Sequence, residues 1–284
     1  MDGPLPYGLR GDYSAARSDG TVEQDHAAYT PAEHATWRAL YARMATLFPR
    51  HAARAWREDL ERLDCADSIP DFARASEALR AATGWSLVAV PGLIPDAPFF
   101  GHLAARRFPV TVWIRRPEEM DYVVEPDVFH DFLGHVPLLL DPAYADFLAA
   151  YGEAGLRASE RGALRPLARL YWHMVEFGLI EEAPGDLRAY GAGILSSHAE
   201  TVAATTSPKP RRLRFDRARV LRSEYFIDDL QPTYFVIRDY AELFAAMDGL
   251  DPLLDEAACA EPIPPGAADP ADVPYQPTAA VAAA

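Results

Sequence analysis

The stretch Glu125-Pro-Asp-Val-Phe-His130-Asp-Phe-Leu-Gly-His135-Val-Pro137 constrains this chain more than any other part of it. Two histidines lie five residues apart between a helix-starting and a helix-stopping signal. Pro126 suits the first helical position, where its missing N–H would be an orphan anyway. Gly134 and Pro137 end any regular helix, since Pro137 has no N–H for the carbonyl of Leu133. In a regular helix the two imidazoles would stand roughly 140° apart in azimuth. They can serve one ion only if the last turn widens or unwinds, which Gly134 permits and Pro137 nearly requires. A lone histidine in an apolar stretch is more often a satisfied core residue. Two astride a forced break, with Asp131 beside the first, bring a metal site level with that reading.

A second stretch, residues 170–179, adds a carboxylate. Leu167, Leu170, Tyr171, Met174 and Val175 recur at helical spacing, so Glu176 lies within a largely buried helix. A buried carboxylate is costly unless a cation or hydrogen-bond donors meet it. A salt bridge to an arginine would satisfy that requirement. So would a shared metal, giving two histidines and one carboxylate with open positions. That set suits non-haem Fe(II), and catalytic zinc uses it too. His173, three residues earlier, is a rival ligand that spacing does not exclude.

Three runs, EPDVFHDFLGHVPLL, YWHMVEFGL and AYGAGILSSHAE, resemble in composition and order the pterin-dependent aromatic amino acid hydroxylases. The likeness extends from about Tyr29 to Ala245 and is strongest to the short bacterial phenylalanine 4-hydroxylases. It implies Fe(II) on His130, His135 and Glu176, with O₂ as co-substrate. It implies a tetrahydropterin, such as tetrahydrobiopterin, contacted by Gly92, Leu93, Ile94, Phe99, Asp131, Ala168 and Tyr171. It places L-phenylalanine against Arg115, Tyr122, Val123, Pro126, Trp172, Phe177, Gly193 and Ser196, with Arg116 as the alternative for Arg115. Ile227, apolar where the tyrosine-hydroxylating branch has aspartate, favours phenylalanine over tyrosine. Ser197 and Glu200 are expected to tie the glycine-bearing loop to the metal site. The alternatives are a tryptophan hydroxylase of the same family, a zinc hydrolase on the same ligands, and a non-catalytic pterin or amino acid binder.

Composition narrows the partners. The formal charge of −15, from 42 acidic and 27 basic residues, leaves no basic run for nucleic acid or an anionic membrane. Cys65 and Cys259 suggest no disulfide framework. The N-terminus lacks a secretory pattern, and no apolar run reaches the eighteen or so residues of a spanning helix. A cytoplasmic protein is expected, and a monomer, because no heptad run is present.

The fold expected is mainly α with small β pieces, in a single domain. Residues 1–28 read as an extended arm, 29–260 as the catalytic domain, and 261–284 as an Ala/Pro-rich disordered tail. Thr30-Pro-Ala-Glu33 is a capping box opening a helix through Trp37, Leu40, Tyr41, Met44 and Leu47. The Trp37/Tyr41 stripe reads as packing. Further helices carry Trp56 to Leu63 and span 71–82, the latter ended by Gly84. Residues 85–90 and 108–114 read as strands, joined by a proline-stiffened loop that presents Phe99. Asp141-Pro142 opens another helix, 225–236 looks β-rich, and a helix from Tyr240 closes the ordered part.

Overall fold

The capping box at Thr30 forms as its spacing predicts in the computed structural model, which describes residues 10–276. Glu33 N donates to the Thr30 hydroxyl at 3.2 Å, and the Glu33 carboxylate accepts from Thr30 N at 2.7 Å. This cap starts α1 (Pro31–Ala45), which buries Trp37, Leu40 and Met44. The Trp37 ring meets Phe129 and Phe132 edge-on, at 5.3 and 6.1 Å, so the aromatic stripe is indeed packing. It backs the histidine segment. Then come α2 (Phe48–His51), α3 (Arg54–Leu63) and α4 (Phe72–Thr83), the last ended by Gly84 at φ +79°.

Strands β1 (Ser86–Val90) and β2 (Arg107–Thr111) pair in parallel, so a crossover must join them. It is a helix, α5 (Asp96–Ala104), and not the loop expected from three prolines. Pro98 sits in its first turn, where backbone N–H groups lack intrahelical partners and proline costs nothing. Phe99 therefore rides on a helix, which fixes its ring more firmly than a loop would.

Asp141 caps α6 (Pro142–Arg161) by accepting from Tyr144 N at 3.0 Å. After α7 (Leu164–Leu170) a hairpin of β3 (Leu179–Ala183) and β4 (Asp186–Ala189) begins the second sheet. The short α8 (Ala192–Leu195) and α9 (His198–Thr206) precede β5 (Arg211–Arg214), α10 (Arg217–Arg222) and β6 (Thr233–Ile237). The sheet order is β4-β3-β6-β5. Of the run expected to be β-rich, only its end is strand; residues 225–232 are irregular. The architecture is mainly helical, with two small sheets in a single domain.

Order continues beyond α11 (Tyr240–Ala245), contrary to expectation, through α12 (Leu250–Cys259) and on to residue 276. Composition is misleading here because a few specific contacts suffice to pin the segment. Ile263 is buried, Tyr275 N donates to Arg212 O, and Asp272 is enclosed by Arg219 and Arg211. The remainder of the expected tail, 277–284, and residues 1–9 of the arm lie outside the described residues. The rest of the arm forms two single turns and hydrogen-bonds the body, as from Val22 N to Ala89 O. Among the described residues no helix is long and apolar enough to cross a membrane.

Candidate metal centre

Both histidine and glutamate segments are wound more widely than an α-helix. Phe129–His135 and Tyr171–Glu176 are π-helices, with hydrogen bonds closing five residues back. This winding brings residues five apart nearly into line, which is how His130 and His135 come to face the same point. Their Nε2 atoms are 3.3 Å apart. The first π-helix starts later than Pro126 suggests, because Asp127 is its effective cap, accepting from His130 N at 3.0 Å. Pro126 lies just outside it. At the other end Pro137 opens a short 3₁₀ turn, and the Trp56 indole N–H donates to the Gly134 carbonyl at 3.3 Å.

Glu176 closes the triangle. Its Oε1 is 3.2 Å from His135 Nε2 and its Oε2 3.5 Å from His130 Nε2. Donor atoms about 2.1 Å from one ion lie about 3.0 Å apart at right angles and about 3.4 Å apart at tetrahedral angles. The three observed separations fit a single ion on one face of these residues, with positions left open. Asp131 also brings a carboxylate oxygen within 4.8 Å of the histidine nitrogens. Its Oδ2 is engaged by Thr111 N at 2.8 Å, and Glu176 stands nearer both histidines, so Glu176 is the better third ligand. The rival His173 points away, its Nε2 3.1 Å from the Ser223 carbonyl.

The histidines are oriented by different means. Ser196 donates its hydroxyl to Ala192 O at 2.8 Å, so at 2.9 Å it must accept from His130 Nδ1. That fixes the His130 tautomer with a bare Nε2, as a metal ligand needs. His135 is held by packing, against Phe108 at 4.9 Å and Tyr171 at 6.2 Å between ring centres. Burial alone would raise the Glu176 carboxyl pKa, but His135 and His130 outweigh it and hold the group well below its usual range. Burial lowers the His130 value, and Glu176 overcomes that to raise it. Such mutual stabilisation of opposite charges is what a cation would take over. For Asp131 burial wins over both histidines, and its carboxyl is raised.

Helix α8 reaches in between the two π-helices. A Cβ on Gly134 would fall 2.7 Å from Ala192 Cβ, and one on Gly193 would fall 2.9 Å from the Phe177 ring and 3.3 Å from Glu176 Oε2. Only glycine allows both approaches. Trp172 lies 5.1 Å from Phe177 and stacks on Tyr225 at 4.2 Å, so the two expected ring contacts do meet. Phe99, half-buried on α5, touches Tyr171 at 5.8 Å, which links the expected pterin platform to His135.

Arg115 is already engaged. Asp127 accepts from its Nε and Nη2, both at 2.8 Å, and from its backbone N, with both side chains buried. This leaves Nη1 for a ligand carboxylate. Arg116 instead accompanies Glu119 in a surface turn, which favours Arg115 of the two. Gly92 is buried and Ile94 and Val123 are half-buried, whereas Leu93, Tyr122 and Ala168 are exposed. Ser197 and Glu200 do not reach the metal triangle: Ser197 caps α9, and Glu200 accepts from Tyr234 OH at 2.6 Å and Gln231 N at 3.2 Å. Ser196 makes the tie expected of them, because at the end of α8 its hydroxyl alone faces His130. Sequence reasoning also missed Asp127. Its position three residues before His130, the spacing of a helix cap, was the available signal.

The sequence model of the biopterin-dependent aromatic amino acid hydroxylases matches residues 19–250. The chain is 50% identical to phenylalanine-4-hydroxylase of Chromobacterium violaceum over 258 residues, 90% of this chain and 86% of the relative. It is 52% identical to that of Ralstonia nicotianae over 236 residues, covering 83% and 75%. A crystal structure of a single-residue variant of the C. violaceum enzyme superposes with a TM-score of 0.89 at 49% identity, covering 92% of this chain and 95% of that one. Another, described as bound to cobalt, gives 0.88 at 48% identity, covering 94% and 96%. With the family matched across most of the chain and its fold reproduced at this level, the protein belongs to the biopterin-dependent aromatic amino acid hydroxylases.

Proposed function

We propose that the protein is a phenylalanine 4-monooxygenase, converting L-phenylalanine to L-tyrosine with O₂ and a tetrahydropterin at a mononuclear Fe(II) site. The convergence of His130, His135 and Glu176 on one point carries this reading, supported by the half-identical relatives that bear that name. Two histidines and a carboxylate with open positions suit non-haem Fe(II). Bound there, iron and pterin together supply the reductive activation of oxygen.

The chain's own residues bind, orient and exclude water. The free edge of the Arg115 fork takes the substrate carboxylate, and the buried Asp127 holds that fork rigid. Trp172 and Phe177 hold the ring, so fixing both ends of the substrate selects which carbon is presented. Gly193, by having no side chain, leaves the room beside Glu176 Oε2 that a ring would otherwise lose. A tetrahydropterin would be held by the Phe99 ring and the Gly92–Ile94 backbone, with Tyr171 and Asp131 as further contacts, and would supply the reducing electrons there. A reducing cytoplasm suits Fe(II) and the unpaired Cys65 and Cys259, and we take the working form to be a monomer.

The test is tyrosine formation from phenylalanine, coupled to oxygen uptake, with added iron and tetrahydropterin. Stoichiometric zinc with turnover independent of pterin would overturn the proposal. Glu176→Ala should lose iron, read as metal content, while the fold survives. Retained iron in that variant would remove Glu176 from the ligand set.

A further inference from the structure

The family match ends at residue 250, yet residues 261–276 are built onto the segment 211–224 that backs the second π-helix. Ile263 N donates to Arg222 O at 2.7 Å, and Glu224 N returns to Ile263 O at 2.8 Å, forming a parallel bridge at Ser223. Asp272 locks this bridge in place. It accepts from Arg219 Nε at 2.7 Å and Arg211 Nη2 at 2.8 Å, while Arg219 Nη1 donates to Ser223 Oγ at 2.5 Å. Arg219 and Asp272 are almost wholly buried, at 6% and 5% side-chain exposure. Such a pair holds its geometry, because separating it would strand a buried charge.

The bridged residues touch the second π-helix directly. The Ser223 carbonyl meets His173 Nε2, and Tyr225 lies flat on Trp172, with ring centres 4.2 Å apart and planes 12° apart. The Trp172 indole N–H is buried and has no hydrogen-bond partner among the described residues. No polar contact sets that ring's angle; ring packing alone does, and Tyr225 is its closest face.

We infer that the C-terminal segment 261–276 is a clamp that sets the substrate-ring wall of the site, with Tyr225 as the positioning residue that transmits it to Trp172. This rests on the phenylalanine hydroxylase reading above. The clamp bears on substrate fit and leaves the three candidate ligands where they are, because His130 and Glu176 are held from the α8 side and His135 is held by Phe108 and Tyr171.

The test compares full-length Tyr225→Leu, Tyr225→Phe and Asp272→Asn enzymes with the parent, loaded with iron and tetrahydropterin. The parent's own tyrosine formation tests the hydroxylase reading separately, so failure of that reading is not mistaken for failure of this one. Tyr225→Leu should raise the phenylalanine KM about three- to tenfold and release less tyrosine per pterin oxidised. Iron content and the pterin KM should stay within about twofold. Tyr225→Phe, which keeps the ring, should match the parent. Asp272→Asn should give the Tyr225→Leu signature in milder form, with faster hydrogen exchange at the Glu224 amide. The inference is overturned if Tyr225→Leu leaves the phenylalanine KM and coupling unchanged. It is equally overturned if Asp272→Asn speeds exchange at Glu224 without moving that KM, or lowers iron content and both KM-determined affinities together.

Discussion

Ser196 shows how much can depend on one hydroxyl. It spends its proton on Ala192 O and so receives the Nδ1 proton of His130, leaving Nε2 bare. Removing the hydroxyl frees both ring and tautomer. Ser196→Ala is expected to weaken iron binding by about 10–100-fold, as losses of such supporting bonds generally do. Titrating the apo-enzyme with Fe(II) under anaerobic conditions checks this, and unchanged affinity would mean that the surrounding packing orients His130 alone. Arg115 illustrates a different coupling. Truncating it removes the proposed substrate contact and also strands the fully buried Asp127. Arg115→Ala should therefore raise the phenylalanine KM and destabilise the fold by about 3–5 kcal/mol. Denaturant unfolding measures the second effect; an unperturbed midpoint would show that Asp127 is relieved by water or protonation.

The two π-helices are the elements on which the site depends, and they were half legible. A helix break between His130 and His135 follows from Gly134 and Pro137, and with it the need for a wider turn. Nothing local in Tyr171-Trp-His-Met-Val-Glu176 announces the second π-helix, which contains no glycine or proline. It is imposed by what packs on it: α8 on one side and the Ser223 carbonyl on the other. That is also why spacing could not choose between His173 and Glu176. Gly193 gives the sharpest test at this scale. A methyl there must push Phe177 or the Glu176 carboxylate, with Oε2 only 3.3 Å away. Gly193→Ala is expected to lower kcat/KM for phenylalanine at least tenfold, with iron content reduced and the melting temperature shifted by no more than about 4 °C. Parental kinetics would mean the π-helix yields at no cost.

Across the whole molecule, stability and function are tied through long-range polar contacts. Glu200 joins α9 to β6 through Tyr234 and to the segment before it through Gln231, with no cation paired to it among the described residues. Burial raises its carboxyl pKa, its hydrogen bonds partly offset this, and Asp229 adds to it. The folded state therefore holds this proton more tightly than the unfolded one, and stability falls as pH rises through the folded-state value. Glu200→Gln keeps the acceptor without the charge. It should melt roughly 2–4 °C above the parent at pH 8 and level with it at pH 4. A constant difference at both pH values would show that the charge is not the cause.

The sequence by itself determined the helix caps at Thr30, Gly84 and Asp141, the mainly helical class, the metal-ligand candidates and the family, because each is written in neighbouring residues or in short ordered motifs. The tertiary structure alone decided that Glu176 and not His173 completes the triangle. It also decided that Ser196 and not Ser197 or Glu200 supports His130, that Asp127 holds Arg115, and that an Ala/Pro-rich segment is ordered by Asp272. Each of these depends on which of several neighbouring side chains faces a partner from another part of the chain. Such facing is set by packing around the whole core, and local spacing does not record it.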